Sequence, residues 1–334
     1  MKHLIVLFLT LLFLSSCDNE LNLTTEWKNI PIVYGLLNEE DQVQYIRIEK
    51  AFLDPTTNAF ELAQNVDSIY YSNALVQLER PKFNETINLE KVDASKEGLV
   101  RAEGVFPSEP NFLYKIDLSN SNPLEGGEEL ILSIIDNDQV LGSSETTLVE
   151  SFFLISGQPG DDLNFGNYDR VTRISWRPIG TEASIYDVSL KVNYQESLID
   201  NASEFVDKSI TWVVAKNLVR ENTERMGIEI QGEDFYAFLG SVLEPAPNQI
   251  RIFQDIDVTV TAGGRELANF IRVRQANTGL TSSQVTPTFS NIENGLGLFS
   301  STAKVGKQEI GLDFEALDSL ANGFHTKDLS FEEP

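Results

Sequence analysis

Apolar residues recur at every second position along much of the chain. Ile87 and Leu89 alternate with Thr86, Asn88 and Glu90, and Phe112, Tyr114, Ile116 and Leu118 alternate with Lys115 and Asp117. A period of two sends alternate side chains to opposite faces of a sheet, so these runs predict strands with one buried face. Residues 130–135 form a nearly continuous apolar run that stops at the turn Asp136-Asn137-Asp138. Residues 30–37, 43–52 and 74–80 predict further strands. No helical period competes strongly before residue 150, and residues 51–63 leave room for a turn of helix or a long loop. Short strands separated by Pro, Gly, Asn and Asp predict an immunoglobulin-like antiparallel β-sandwich over residues 30–151.

Gly157-Gln158-Pro159-Gly160-Asp161-Asp162 is dense in turn formers and marks a domain boundary. Beyond it the pattern is mixed. Tyr186, Val188, Leu190, Val192 and Tyr194 predict the cleanest strand in the chain. Ile250, Ile252, Ile256, Val258 and Val260 predict another, all on one face, with Gln254 its polar member. Phe235, Phe238, Leu239 and Val242 have helical spacing despite Gly240. Leu267, Phe270 and Ile271 restart that spacing after Gly263-Gly264, with a strand as the alternative. Phe314, Leu317 and Leu320 predict a short helix that stops at Asn322-Gly323. The fold class is therefore mainly β, with residues 152–334 forming a β-rich α+β domain with short helices.

Composition agrees with two globular domains: 334 residues, 41% apolar and 23% charged. The 51 acids outnumber the 25 bases, giving a net charge of −26. Such a chain repels the phosphates of nucleic acids and of anionic membrane surfaces, so no nucleic-acid partner is expected.

The N-terminus reads as an address. Met1-Lys2-His3 is basic, and residues 4–14 are apolar apart from Thr10. Eleven residues at about 1.5 Å each cannot cross a bilayer core of about 30 Å, but they suit the apolar centre of a signal peptide. Leu14-Ser15-Ser16-Cys17 resembles a bacterial lipobox. That resemblance implies cleavage after residue 16 and fatty-acyl thioether lipidation of Cys17, the only cysteine present. Residues 17–29 then form a lipidated tether, and Asp18-Asn19-Glu20 is similar to the acidic signal that sends lipoproteins of Bacteroidetes to the outer face of the outer membrane.

Three passages carry a wider resemblance. They are Ile30-Pro31-Ile32-Val33-Tyr34-Gly35-Leu36-Leu37-Asn38 with residues 45–52, residues 63–71, and Ser290-Asn291-Ile292-Glu293-Asn294-Gly295-Leu296-Gly297-Leu298-Phe299. Together they resemble outer-membrane lipoproteins of Bacteroidetes grouped as a domain of unknown function. Members are often encoded near TonB-dependent receptors, which implies an accessory role in nutrient capture or envelope assembly. The group has no established catalytic residues, so the resemblance assigns none. Read by itself, the last passage places Asn294-Gly295 in a turn with positive φ, lets Gly297 approach another backbone, and plugs Leu296, Leu298 and Phe299 into the core. A phosphate loop needs a basic residue there, and the passage has none.

Candidate chemistry is sparse. Behind the signal peptide His325 is the only histidine, placed in a polar tail where solvation is the expected role. Histidine-based nucleophilic mechanisms and His/Cys zinc sites lack their parts. Carboxylate chemistry stays open, since glycosidases need only two acids about 5–9.5 Å apart. Such sites usually add aromatic platforms; Trp27, Trp176 and Trp212 are the only tryptophans, and the last two lie in strand-like runs that favour core packing. Calcium is the remaining metal candidate. Asp161, Asp162, Asn164, Asn167 and Asp169 cluster in one loop and Asp136 with Asp138 in another, although Gly166 stands where an EF-hand wants an oxygen ligand. Turn formation accounts equally for both. No cofactor is expected.

The primary expectation is a surface-exposed, non-enzymatic lipoprotein that binds or assembles with an outer-membrane partner such as a TonB-dependent receptor. An adhesin or structural envelope module is the first alternative. A carboxylate-dependent glycan hydrolase is the second.

Overall fold

The computed structural model describes residues 29–51, 58–156, 165–166, 168–201, 204–221, 224–276 and 288–332. The first half is a two-layer antiparallel sandwich. Strands β1 (Pro31–Leu37), β2 (Val43–Lys50), β6 (Phe112–Asp117) and β5 (Glu90–Asp93) form one layer, in the order β1-β2-β6-β5. Strands β4 (Glu85–Asn88), β3 (Leu75–Arg80), β7 (Glu129–Asp136) and β8 (Gln139–Thr147) form the other, in the order β4-β3-β7-β8. Lettered along the chain, these are the ABED and C′CFG sheets of an immunoglobulin-like domain. Alternation fills the core: Val33, Ile46, Ile48 and Ile116 from the first sheet meet Val76, Leu78, Leu132 and Ile134 from the second.

The stretch expected as helix or loop, residues 51–63, ends in α1 (Ala59–Gln64), and beyond it comes α2 (Val66–Ile69), which the sequence reading did not expect; their first turns donate capping bonds to the Asn58 and Asn65 side chains. Asp136-Asn137-Asp138 closes the β7–β8 hairpin. Asn137 and Asp138 both have positive φ (49° and 61°) between the paired residues Asp136 and Gln139, as a type I′ turn requires.

The sandwich has no disulfide pin. A buried ion pair braces its end instead. Arg80 is fully buried and spends all five N–H donors, on both oxygens of Glu128 (2.6 and 3.0 Å), on Glu85 (3.0 Å) and on the carbonyls of Asn122 and Pro123. Burial works against its charge, but the Glu128 and Glu85 carboxylates outweigh burial and hold the guanidinium pKa above its ordinary value.

The second half adds β9 (Phe153–Leu154), β10 (Val171–Arg177), β11 (Ala183–Leu198), β12 (Val206–Val219), β13 (Met226–Gln231), β14 (Gln249–Gly264) and β15 (Leu296–Ile310). It also carries helices α3 (Gly232–Val242), α4 (Arg265–Ala276) and α5 (Phe314–Asn322). Strands β13-β10-β9 make a small sheet, while β12-β11-β14-β15 run on into β1-β2-β6-β5 as one eight-stranded sheet. The second core lies around Trp176, Tyr186, Phe235 and Tyr236. In sequence the two cores meet between Leu148 and Val149.

Strand β15 joins them. Its residues from Leu296 to Ser301 pair in parallel with β1, and from Thr302 onward it pairs with β14. At the change of partner Ser300 and Ser301 are wholly buried. The Ser301 hydroxyl donates to the Thr147 carbonyl (3.0 Å) and accepts from the Val149 amide (2.9 Å). Ser300 faces the other way, accepting from the Leu267 amide and donating to Glu266 on α4. Ahead of β15, the Asn291 side-chain amide bonds both backbone groups of Phe299 (3.0 and 2.6 Å), and Glu293 bridges to Ser143 of β8.

Several expectations need correction. Leu298 and Phe299 are buried, but Leu296 is 45% exposed, and Val242 and Phe314 lie on the exposed sides of their helices. The α5 face that packs is Ala316, Leu320 and Ala321. Ile250 and Ile252 do not share a face with Ile256. Gln254 is a β-bulge, since Tyr194 pairs with Phe253 and Asn193 with Asp255, and one extra residue flips every later side chain.

Two stability changes follow. Gly297 sits at φ +113°, and a Cβ there would lie 1.9 Å from the Val33 carbonyl oxygen. Gly297→Ala should cost about 3 kcal/mol or more in urea unfolding, against less than about 1 kcal/mol for Leu296→Ala next to it. Tyr186 is buried with no partner for its hydroxyl, and burial pushes its pKa up to about 12. A phenol that binds its proton more tightly when folded keeps its contribution below pH of about 10 and loses it as pH rises towards about 12. Tyr186→Phe should match or exceed the parent midpoint at neutral pH and lose less stability in an alkaline titration followed by circular dichroism.

Candidate functional site

The residue types singled out by sequence do not converge. Cys17, the signal peptide, the tether up to residue 28 with Trp27, and Asp161, Asp162, Asn164 and Asn167 of the acidic loop lie outside the described residues. Asp136 and Asp138 belong to a hairpin turn. Trp176 is wholly buried, and Trp212 stacks on Phe238 with ring centroids 5.0 Å apart. His325 is not a solvated tail residue. Its ring lies 3.5 Å from Glu233 and edge-on to Tyr168, and its carbonyl fills the space a side chain at Gly240 would need. Among the described residues no cluster of three or more His, Cys, Asp or Glu side chains could hold a metal ion, and no helix is long and apolar enough to cross a membrane.

The most organised polar surface lies on the outer face of β11 and β14. Inward, Val188, Leu190 and Val192 pack against Val258 and Val260 in the second core. Outward, the same register sets Lys191 opposite Asp257 and Asn193 opposite Asp255. Two backbone irregularities gather here: the bulge at Gln254, and a bulge of β15 opposite Ile256–Val258, where the stretch from Lys307 to Ile310 carries one extra residue and Glu309 takes φ 58°. Bulges re-aim side chains, and here they turn two acids onto one amide. Asn193 Nδ2 donates to Asp255 Oδ1 at 2.6 Å and to Asp257 Oδ2 at 3.1 Å. Asp257 Oδ1 also accepts from the Glu309 amide at 3.3 Å, and Lys191 Nζ lies 4.0 Å from Asp257. Beside them Gln195 donates to Asp207 (2.9 Å).

Of these, Lys191, Asn193, Asp207 and Asp255 line, with Ser209 and Gln254, an open groove of about 440 Å³. The Lys191 ammonium and the Asn193 and Gln254 amides stand there among the carboxylates of Asp207 and Asp255. Two carboxylate oxygens bonded to one nitrogen are at most two hydrogen-bond lengths apart, about 6 Å. A glycosidase pair can occupy that separation. Sequence reading missed the site because Ile250, Ile252 and Ile256 keep an unbroken period of two through Gln254, which conceals the bulge. The one available signal was Phe253, an apolar residue in the opposite phase.

Position matters as much as composition. The described chain begins at Asn29, beside the first residues of β1 and β15, whereas the groove lies near Ile310, which pairs with Ile256 at the far end of β15. Fifteen strand residues span about 50 Å. Beyond the groove the β11–β12 connection exposes Leu198, Ile199, Phe205 and Val206.

No family model matches the chain, and no curated protein gives a significant match. Solved structures show distant likeness. One is the C-terminal globular domain of an oligosaccharyltransferase from Pyrococcus abyssi, at 8% identity and TM-score 0.26, covering 70% of this chain and 46% of that one. Another is a Ca2+-stabilised adhesin that helps an Antarctic bacterium bind ice, at 10% identity and TM-score 0.20, covering 85% and 49%. A third is a 1.5-MDa bacterial ice-binding adhesin, at 12% identity and TM-score 0.17, covering 86% and 66%. The chain thus spans about half the length of the first two. Likeness at this level leaves the functional reading to the chain's own residues.

The ladder makes a direct prediction. Asn193→Asp replaces the donor shared by two carboxylates with a third carboxylate. Its melting temperature should fall by several degrees in low salt, and most of that loss should be recovered in about 1 M NaCl, where charges are screened beyond about 3 Å.

Proposed function

We propose that this protein is a lipid-anchored lipoprotein of the outer membrane, held at the cell surface through Cys17, that works as a non-enzymatic binding or assembly accessory of a TonB-dependent uptake system. The lipobox, the acidic tether and the resemblance to Bacteroidetes lipoproteins support the anchor and the partner. The observation that carries the binding role is the polar groove at the end of β15 remote from Asn29. A body tied down by its N-terminal tether presents that end outward. An adhesin draws on the same geometry, with exposed Leu198, Ile199, Phe205 and Val206 as its tip, and differs in binding cells or matrix without any transporter. The Asp255–Asp257 pair favours a glycan hydrolase as the second reading, distinguished by turnover of glycan substrates that both Asp→Asn variants abolish.

Cys17→Ser tests the anchor. The native protein should partition into the detergent-dependent membrane fraction, be cleaved by protease added to whole cells, and give an acylated N-terminal peptide by mass spectrometry. The variant should leave that fraction. A native N-terminus without acylation, or a variant that stays membrane-bound, removes the anchor. Purification in mild detergent should recover a receptor with the native protein, and recovery alone under several growth conditions removes the partner.

A further inference from the structure

We infer that the groove on β11 and β14 takes a neutral polyhydroxylated ligand, a glycan segment, whose hydroxyls accept hydrogen bonds from Lys191, Asn193 and Gln254 and donate to Asp255. This rests on the reading of that groove as the binding site. Four features of the lining select the class.

First, donors and acceptors are interspersed. Lys191 lies 4.0 Å from Asp257 and lines the groove with Asp207 and Asp255, so a phosphate or sulfate would meet carboxylates wherever it met the ammonium. A sugar hydroxyl donates and accepts at once, and vicinal hydroxyls can serve one carboxylate and one ammonium together. Second, the acceptors are prepositioned before any ligand arrives. Asn193 Nδ2 fixes Asp255 and Asp257, leaving the Asn193 side-chain oxygen and the second Asp255 oxygen free to point into the groove. Third, the lining offers no apolar pocket for a peptide side chain: Tyr194, its only aromatic residue, is buried on the core side, so the groove has no aromatic platform and holds the sugar by hydrogen bonds alone. Peptide recognition normally needs side-chain pockets, and this groove, bounded by the edge strand β12, offers none. Fourth, polar side chains on adjacent strands repeat about every 4.8 Å across the sheet, a spacing comparable to the width of one sugar ring.

Lipid-free mature protein should be titrated calorimetrically with defined oligosaccharides derived from dextran, mannan and xylan, and separately with oligolysine and with inorganic phosphate. At least one oligosaccharide should bind, with affinity reduced tenfold or more by Asp255→Ala and by Asn193→Ala. Val140→Ser, at an exposed position of β8 in the first-half sandwich, should bind as the parent does. Each variant's melting temperature and circular dichroism should verify that it is folded. Where a ladder variant does not fold, Lys191→Ala replaces it, because that ammonium is half exposed and makes only a 4.0 Å contact. Oligolysine or phosphate binding that maps to these residues, without any oligosaccharide binding, overturns the ligand class and leaves the groove as the site. Oligosaccharide binding unaffected by every folded groove substitution overturns the assignment to this groove. Silence from every probe overturns the ligand class, and receptor recovery that these groove variants leave unchanged then removes the groove from the proposed function as well.

Discussion

Strand β15 hydrogen-bonds to β1 through its first six residues and to β14 through the rest, and the other elements are arranged around that shared ladder. Phe299 belongs to the first core and Ala303 to the second, so four residues carry the backbone from one apolar interior to the other. Between them the sheet needs side chains that can be buried on both faces without belonging to either core. Ser300 and Ser301 meet that need by finding backbone and carboxylate partners on opposite sides. Two leucines there would leave the Val149 and Leu267 amides without these acceptors, and unmet buried donors are costly.

Local chemistry was legible in the chain wherever burial follows a simple period. Tyr186, Val188, Leu190, Val192 and Tyr194 alternate in sequence and are all buried in one core, and α5 ends at Asn322-Gly323, although Gly323 is extended (φ −67°) and uses no left-handed turn. What sequence cannot display is pairing between distant segments. The β1–β15 ladder joins residues more than 250 positions apart, and in parallel, so no turn announces it. Helix faces misled for a related reason. Phe314 and Val242 keep helical spacing with buried neighbours, yet smaller residues such as Ala316 do the packing. The groove was hidden by the bulge at Gln254, because Ile252 and Ile256 on either side keep the period of two that a regular strand would show.

The charge imbalance is handled by position. The two most buried cations, Arg80 and Arg251, are each matched to acids and carbonyls: Arg251 reaches Glu196 at 2.9 Å and the carbonyls of Glu244 and Leu329 at 3.1 and 2.9 Å. Both tie a loop or terminal segment to the end of a strand. Buried pairs of this kind add modest net stability but make the wrong arrangement expensive, since either partner alone would be an uncompensated charge. In the groove, by contrast, acids and lysines stay near solvent with bonds left to offer.

The parallel register of β1 and β15 also has a mechanical meaning. Tension applied between Asn29 and the β11–β12 tip would run along the strands, pulling β1 one way and β15 the other. The rungs joining them lie across that load and must all shear together. A hairpin pulled open at its mouth fails rung by rung, whereas this seam resists as a unit, so a body held at one end and gripped at the other would transmit drag to its tether without coming apart at the join.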